Sequence, residues 1–278
     1  MLRVRLVAAA AILVPLGGIL YADVHWNAGV PGIWLVPLGW IISLLAAAEV
    51  LDLLRTPGHR PLAWTVYTGV TLVFLAACVP MLWPLSGLPY PPNCPLGKLG
   101  WPLLALVAAL TLALVGEMRR YEQPGGVIVN LALAVFTIVY VGVPLAFAAL
   151  LRQFHDNRWG MAALVSAILV VKLSDTGAYF FGKRFGRRKL APRLSPGKTV
   201  AGGIGCLVFA VGAAFCFTQL LAPQMTGQAP RTSLMGTAAY GLILAVTGVL
   251  GDLGESLLKR DMGRKDSSSW LPGLGGVL

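Results

Sequence analysis

Eight stretches of mostly apolar residues, near positions 4–22, 33–53, 62–83, 101–117, 126–151, 161–181, 201–222 and 235–257, limit what this chain can fold into more than any motif does. A run of about 20 such residues makes a helix about 30 Å long, the thickness of a bilayer's hydrocarbon core. In lipid the backbone must satisfy its own polar groups, and for runs of this length the helix does so within one segment. Hydrophobic residues make up 57% of the 278 and charged ones only 12%, a balance foreign to soluble domains of this size. The expected fold is therefore all-α, a polytopic transmembrane helix bundle of about eight spans. Two arginines precede the first run, as in a signal peptide, but no small-residue cleavage site stands before Tyr21, so an uncleaved first helix is expected.

The cations then orient the spans. Of the 22 Lys and Arg, Lys98, Arg152, Arg158 and Arg231 fall on one side, Lys172 lies inside the sixth run, and the remaining seventeen fall on the other side. That asymmetry predicts both termini in the cytoplasm. The net charge of +11 is thus spent on orientation and on anionic partners at the membrane surface. No basic stripe is interleaved with aromatic residues, so nucleic acid is not an expected partner. Cys78, Cys94, Cys206 and Cys216 form no metal-ligand or redox spacing: three read as small apolar helix residues and Cys94 as a loop thiol. His25, His59 and His155 stand in separate loops. Residues 1–160 read as a transmembrane scaffold, with Asp23, His25 and Asn27 as polar punctuation of its first outer loop, and the chemistry concentrates in residues 161–278.

Three segments carry that chemistry. On the last helix Asp252, Glu255, Ser256 and Lys259 recur at i, i+3, i+4 and i+7, which sets two carboxylates, a hydroxyl and an ammonium on one face, with Arg260 beside them. Such a face can hold a metal ion and a phosphate side by side; its bland alternative is a helix end whose Lys and Arg snorkel into headgroups. In the sixth run Lys172, Asp175 and Tyr179 recur at i, i+3 and i+7, either as a mutually neutralising Lys–Asp pair or as a second, phosphate-facing wall. Between them lies a cationic loop, Gly182-Lys183-Arg184 through Arg187, Arg188 and Lys189 to Ser195-Pro196-Gly197-Lys198-Thr199, closing on Gly202-Gly203. Cations with glycines suit a triphosphate or an anionic lipid headgroup, whereas an orienting anchor would need the cations alone. Gly197-Lys198-Thr199 does not make a P-loop, because Pro192 stands where the first glycine belongs and no strand is expected before it.

Together these segments resemble the phosphatidate cytidylyltransferase family, the integral membrane enzymes that make CDP-diacylglycerol. The family signature is similar to Ser256-x-x-Lys259-Arg260, Lys265-Asp266 and Pro272-Gly273-x-Gly275-Gly276 at matching spacing; Gly251-Asp252-Leu253, Glu255, Asp175-Thr176-Gly177-Ala178-Tyr179, Ser195-Pro196 and Lys198-Thr199 match as well. The likeness covers roughly the last 110 residues; the first 160 match only in being hydrophobic. Leu274 replaces the family's histidine, Ala201 replaces its usual glutamate, and Leu278 stands just before the family's Asp-Arg-x-Asp. The expectation is accordingly of a C-terminally truncated or degenerate member that lacks one metal-ligating aspartate and has little activity as it stands.

What the resemblance implies is transfer of a cytidylyl group from CTP to phosphatidate, with release of pyrophosphate, in a bacterial inner membrane with the site facing the cytoplasm. Asp252 would hold Mg²⁺, with a second monovalent or divalent cation also expected. Asp252, Glu255, Lys259, Arg260 and Asp266 would form the catalytic group. Asp175, Tyr179, Lys183, Arg187, Ser195, Lys198, Thr199, Ser256 and Lys265 would bind substrate, and a homodimer is among the expectations. Rival classes are another membrane-lipid cytidylyltransferase, a polyprenol kinase, or an anion transporter lined by Lys172, Asp175 and Asp252.

Overall fold

The computed structural model describes residues 2–55, 59–229 and 232–264. It divides into two compact units, the first containing Met1–Gln153 and the second Phe154–Lys265. Each of the eight apolar runs is helical. Seven helices among the described residues are long and apolar enough to cross a membrane, and the first run forms a further helix, Leu2–His25.

The first unit consists of α1 (Leu2–His25), α2 (Leu35–Leu54), α3 (Ala63–Leu82), α4 (Gly97–Arg119), α5 (Val127–Thr137) and α6 (Val143–Arg152). Its centre is α3, the most buried of the seven spans, whose Val66, Val70, Val73 and Ala77 pack with Val50, Ala109 and Ile138 out of reach of solvent. The fifth run is one span built of two helices, α5 and α6, joined by a π turn over Ile138–Gly142. Pro144 opens α6 and has no N–H to give to the carbonyl one turn back, and the widened turn absorbs that loss without breaking the span.

One feature of this unit departs from the sequence reading. Asp23 belongs to α1, not to an outer loop, and it is fully buried. It accepts from Nε and Nη2 of the equally buried Arg152 at 2.8 and 2.7 Å, and from the backbone N–H groups of Gly32 and Trp34 at 3.0 and 3.2 Å. The pair fastens the end of α6 to α1 and the turn before α2. Arg152, counted above among the cations outside the bilayer, is a buried structural partner, because a buried carboxylate is tolerable only when its acceptor sites are filled.

The second unit holds α7 (Asn157–Phe185), a hairpin of β1 (Lys189–Ala191) and β2 (Ser195–Thr199), α8 (Val200–Cys216), α9 (Ala222–Thr226) and α10 (Leu234–Asp261). The hairpin qualifies the all-α expectation: the cationic loop is an antiparallel ribbon, with Lys189 opposite Thr199 and Ala191 opposite Ser195 in an irregular register. A second π turn, Phe217–Leu221, precedes α9 and its Pro223, as before α6. Side chains cap the three long helices: Asp156 accepts from Trp159 N–H, Thr199 from Gly202 N–H and Ser233 from Gly236 N–H.

Helix α8 packs against both α7 and α10. Two glycines set the α7–α8 distance: a β-carbon on Gly177 would lie 2.6 Å from the Gly205 carbonyl oxygen, and one on Gly205 would lie 2.7 Å from that of Gly177. Backbones that close gain van der Waals contact, one of the main forces that associate helices in lipid. α7 and α10 both run antiparallel to α8. Asp175 is eighteen residues past the start of α7, and Asp252 is eighteen past the start of α10. At 1.5 Å per residue each carboxylate lies about 27 Å along its helix, where a span is about to leave a 30 Å core.

Candidate active site

At that level the second unit opens a cavity of about 370 Å³. From α7 it takes Asp175, Tyr179 and Lys183; from the hairpin Lys189, Lys198 and Thr199; from α8 Gly202, Gly203 and Cys206; and from α10 Val249 and Asp252. Three lysines thus face two carboxylates across a wall made partly of glycine, where backbone can approach a ligand closely.

The charges already interact. Lys198 Nζ lies 3.1 Å from Asp252 Oδ2, an ion pair whose angles do not make a hydrogen bond; the ammonium is shielded from solvent and has no hydrogen-bond partner. The Asp252 side chain is 59% exposed, so solvent still reaches it. Lys172 stands 3.8 Å from Asp175 with both side chains largely exposed, a loose pair of small energetic worth. Lys183 Nζ sits 5.7 Å from the centre of the exposed Tyr179 ring, a cation–π contact at the cavity wall. Thr199 turns its Oγ1 to the Gly202 N–H and fixes where β2 ends and α8 begins.

Of the residues singled out in the sequence, Asp175, Tyr179, Lys183, Lys198, Thr199 and Asp252 meet here, although 77 positions separate Asp175 from Asp252. Glu255 does not line the cavity; its Oε1 accepts from Lys259 Nζ at 2.7 Å, one turn along α10. Arg260 Nε donates to the Leu194 carbonyl oxygen at 3.4 Å and ties the end of α10 to the hairpin turn. Arg187, Ser195 and Ser256 are not among the lining residues. Lys265, Asp266 and the Pro272-Gly273 segment lie outside the described residues. Cys206, read from the sequence as a plain helix residue, is part of the wall. Its place was legible from spacing, since Thr199, Gly202, Gly203 and Cys206 fall on one face of α8.

For a metal, the described residues gather no group of three or more His, Cys, Asp and Glu side chains. Asp175 and Asp252 on one cavity still fit Mg²⁺, which prefers hard oxygen ligands, keeps several waters and takes the rest of its shell from substrate phosphates.

The model of the cytidylyltransferase family matches residues 5–278. The chain belongs to this family. Among curated proteins it is 42% identical over 124 residues to the phosphatidate cytidylyltransferase of Haemophilus influenzae, covering 45% of this chain and 42% of the relative. It is 39% identical over 140 residues to that of Bacillus subtilis, covering 50% and 49%. Against that of Chlamydia muridarum the figures are 34% over 172 residues, 60% and 55%. The matched segment spans about half the length of these relatives.

Proposed function

We propose that this integral membrane protein transfers the cytidylyl group of CTP to phosphatidate, giving CDP-diacylglycerol and pyrophosphate. The observation that carries the reading is the cavity itself: three lysines and two carboxylates gathered where apolar helices end, so that a lipid phosphate and a soluble triphosphate can reach the same atoms. Family membership and the names of the relatives support it. A phosphate oxygen of phosphatidate attacks the α-phosphorus of CTP, a new P–O bond forms, and the bond from that phosphorus to the oxygen bridging to the β-phosphate breaks, with pyrophosphate as leaving group. Such a transfer asks little covalent chemistry of the protein and much charge neutralisation and in-line positioning. Lys183, Lys189 and Lys198 hold phosphate oxygens, and Tyr179 with Lys183 bounds the open side. Asp252 and Asp175 would hold Mg²⁺, which supplies positive charge to the phosphates.

We place the site on the cytoplasmic side of a bacterial inner membrane, on the strength of the cation asymmetry and the bacterial relatives. An anion transporter is less well supported, since among the described residues of the second unit the cavity's charges gather at one end of the spans instead of lining a path through them.

The test is formation of CDP-diacylglycerol from CTP and phosphatidate in detergent, with and without Mg²⁺. Asp252→Asn should lower turnover by about 10²-fold or more while the protein stays folded, since it removes the negative charge that would hold Mg²⁺. Full activity in that variant would overturn the assignment of Asp252.

A further inference from the structure

We infer that Lys198 is a built-in stand-in for the metal ion: its ammonium neutralises Asp252 until a cation arrives with the nucleotide, and is then released to the triphosphate. This rests on the reading of Asp252 as a metal-binding carboxylate. A lysine ammonium has three protons to donate, and this one, shielded from solvent, places none of them in a hydrogen bond. The 3.1 Å approach to Asp252 Oδ2 is what offsets its burial. Such a group gains by moving to better acceptors, and the phosphate oxygens of a ligand in the cavity would provide them.

The surroundings allow that movement to be made by the side chain alone. The backbone on either side of Lys198 is fixed, by Thr199 capping α8 and by the Leu194 carbonyl oxygen accepting from Arg260. The four-carbon stem is free to swing between the carboxylate and the cavity. Asp252, for its part, is more than half exposed, so a cation can approach it from water. An ammonium and a divalent ion cannot share one carboxylate without strong mutual repulsion, so the two compete. A divalent cation alone must displace Lys198 with only Asp175, which already has Lys172 beside it, to receive it. With a triphosphate present the lysine has a new partner, and metal and nucleotide favour each other's binding by the same factor.

Mn²⁺ serves as the probe, with free ion measured by electron paramagnetic resonance in titrations of the purified chain in micelles without nucleotide. Lys198→Gln should bind Mn²⁺ about tenfold more tightly than the parent, because the competitor is gone. Lys198→Arg should stay near the parent, and Lys183→Gln, which removes a charge from the same cavity without touching Asp252, should tighten binding by less than about threefold. Asp252→Asn should abolish the site in the parent and in the Lys198→Gln background. Thermal unfolding checks each variant, and Lys198→Met replaces Lys198→Gln should the latter misfold. Unchanged or weaker Mn²⁺ binding in Lys198→Gln, or equal tightening in Lys183→Gln, overturns this inference while leaving Asp252 as the ligand. Unchanged binding in Asp252→Asn overturns both it and the metal reading beneath it.

Discussion

The backbone approach of α7 to α8 beside the site can be tested with one methyl group. A β-carbon on Gly177 would sit 2.6 Å from the Gly205 carbonyl oxygen, whereas ordinary contact begins near 3.4 Å, so Gly177→Ala must move α7 from α8 by about 0.8 Å. The obstacles are the Gly205 carbonyl oxygen and the Cβ and Cγ of Phe209, and neither the carbonyl nor the Cβ can rotate aside. Overpacking of this kind costs about 1–3 kcal/mol, against which alanine's better helix propensity returns up to about 1 kcal/mol. Asp175 lies two residues before Gly177 on α7, while Lys198 and Thr199 lead into α8, so the shift widens the cavity between them. A displacement near 1 Å of groups that position a reacting phosphate can cost about 10²-fold in rate. The measurement pairs unfolding midpoints in detergent with CDP-diacylglycerol formation, and its control is Gly212→Ala, on α8, where an added β-carbon meets nothing within 4 Å. Equal midpoints and equal rates for the two variants would refute the claim that the Gly177–Gly205 approach sets the site's width.

Three further outcomes are expected. Arg152→Met strips Asp23 of its buried partner and should cost about 3 kcal/mol in the thermal stability of the first unit, toward the low end for such pairs because two backbone N–H groups still serve the carboxylate; Asp23→Leu in the same chain should recover most of it. Lys183→Gln and Lys189→Gln should each raise the KM for CTP by roughly tenfold, while Arg187→Ala, outside the cavity, should stay within about twofold in the same steady-state assay. A cysteine placed at Arg187 should resist an impermeant maleimide in intact cells and react after lysis, and strong labelling in intact cells would reverse the assigned orientation.

Most of the fold was legible because a long apolar run has few alternatives in lipid: all eight runs are helical, and their bounds differ from the expected ones mainly where helices extend into polar sequence. That extension is what the hydropathy pattern missed. α7 and α10 continue to Phe185 and Asp261, four residues beyond the apolar runs, and those extra turns carry Lys183 and Lys259. The hairpin was hidden for a different reason. Pro192, Pro196 and Gly197 disfavour a regular strand, and the ribbon forms in spite of them, between the end of α7 and the start of α8. Asp23 and Arg152 were misjudged because a charged residue at the end of an apolar run looks solvated in sequence, and only the meeting of α1 with α6 shows that it is not.

Six of the expected residues gather at the cavity, but which of them would meet there was not legible in the sequence. Helical spacing placed Asp252, Glu255 and Lys259 on one face, and α10 does run through all three. A shared face, however, says nothing about depth, and depth decides here. Asp252 lies at the level of Asp175 and the hairpin lysines, whereas Glu255 and Lys259, one and two turns further out, satisfy each other at 2.7 Å. A carboxylate already paired at that distance is a poor candidate for a metal, and one whose cationic neighbour makes no hydrogen bond is a good one. The same consideration separates the cations. Lys198 pairs with the Asp252 carboxylate at the cavity, while Arg260 donates to the Leu194 carbonyl oxygen in the hairpin turn. Periodicity sees neighbours along one helix; the cavity depends on which groups from α7, the hairpin and α10 reach the same level.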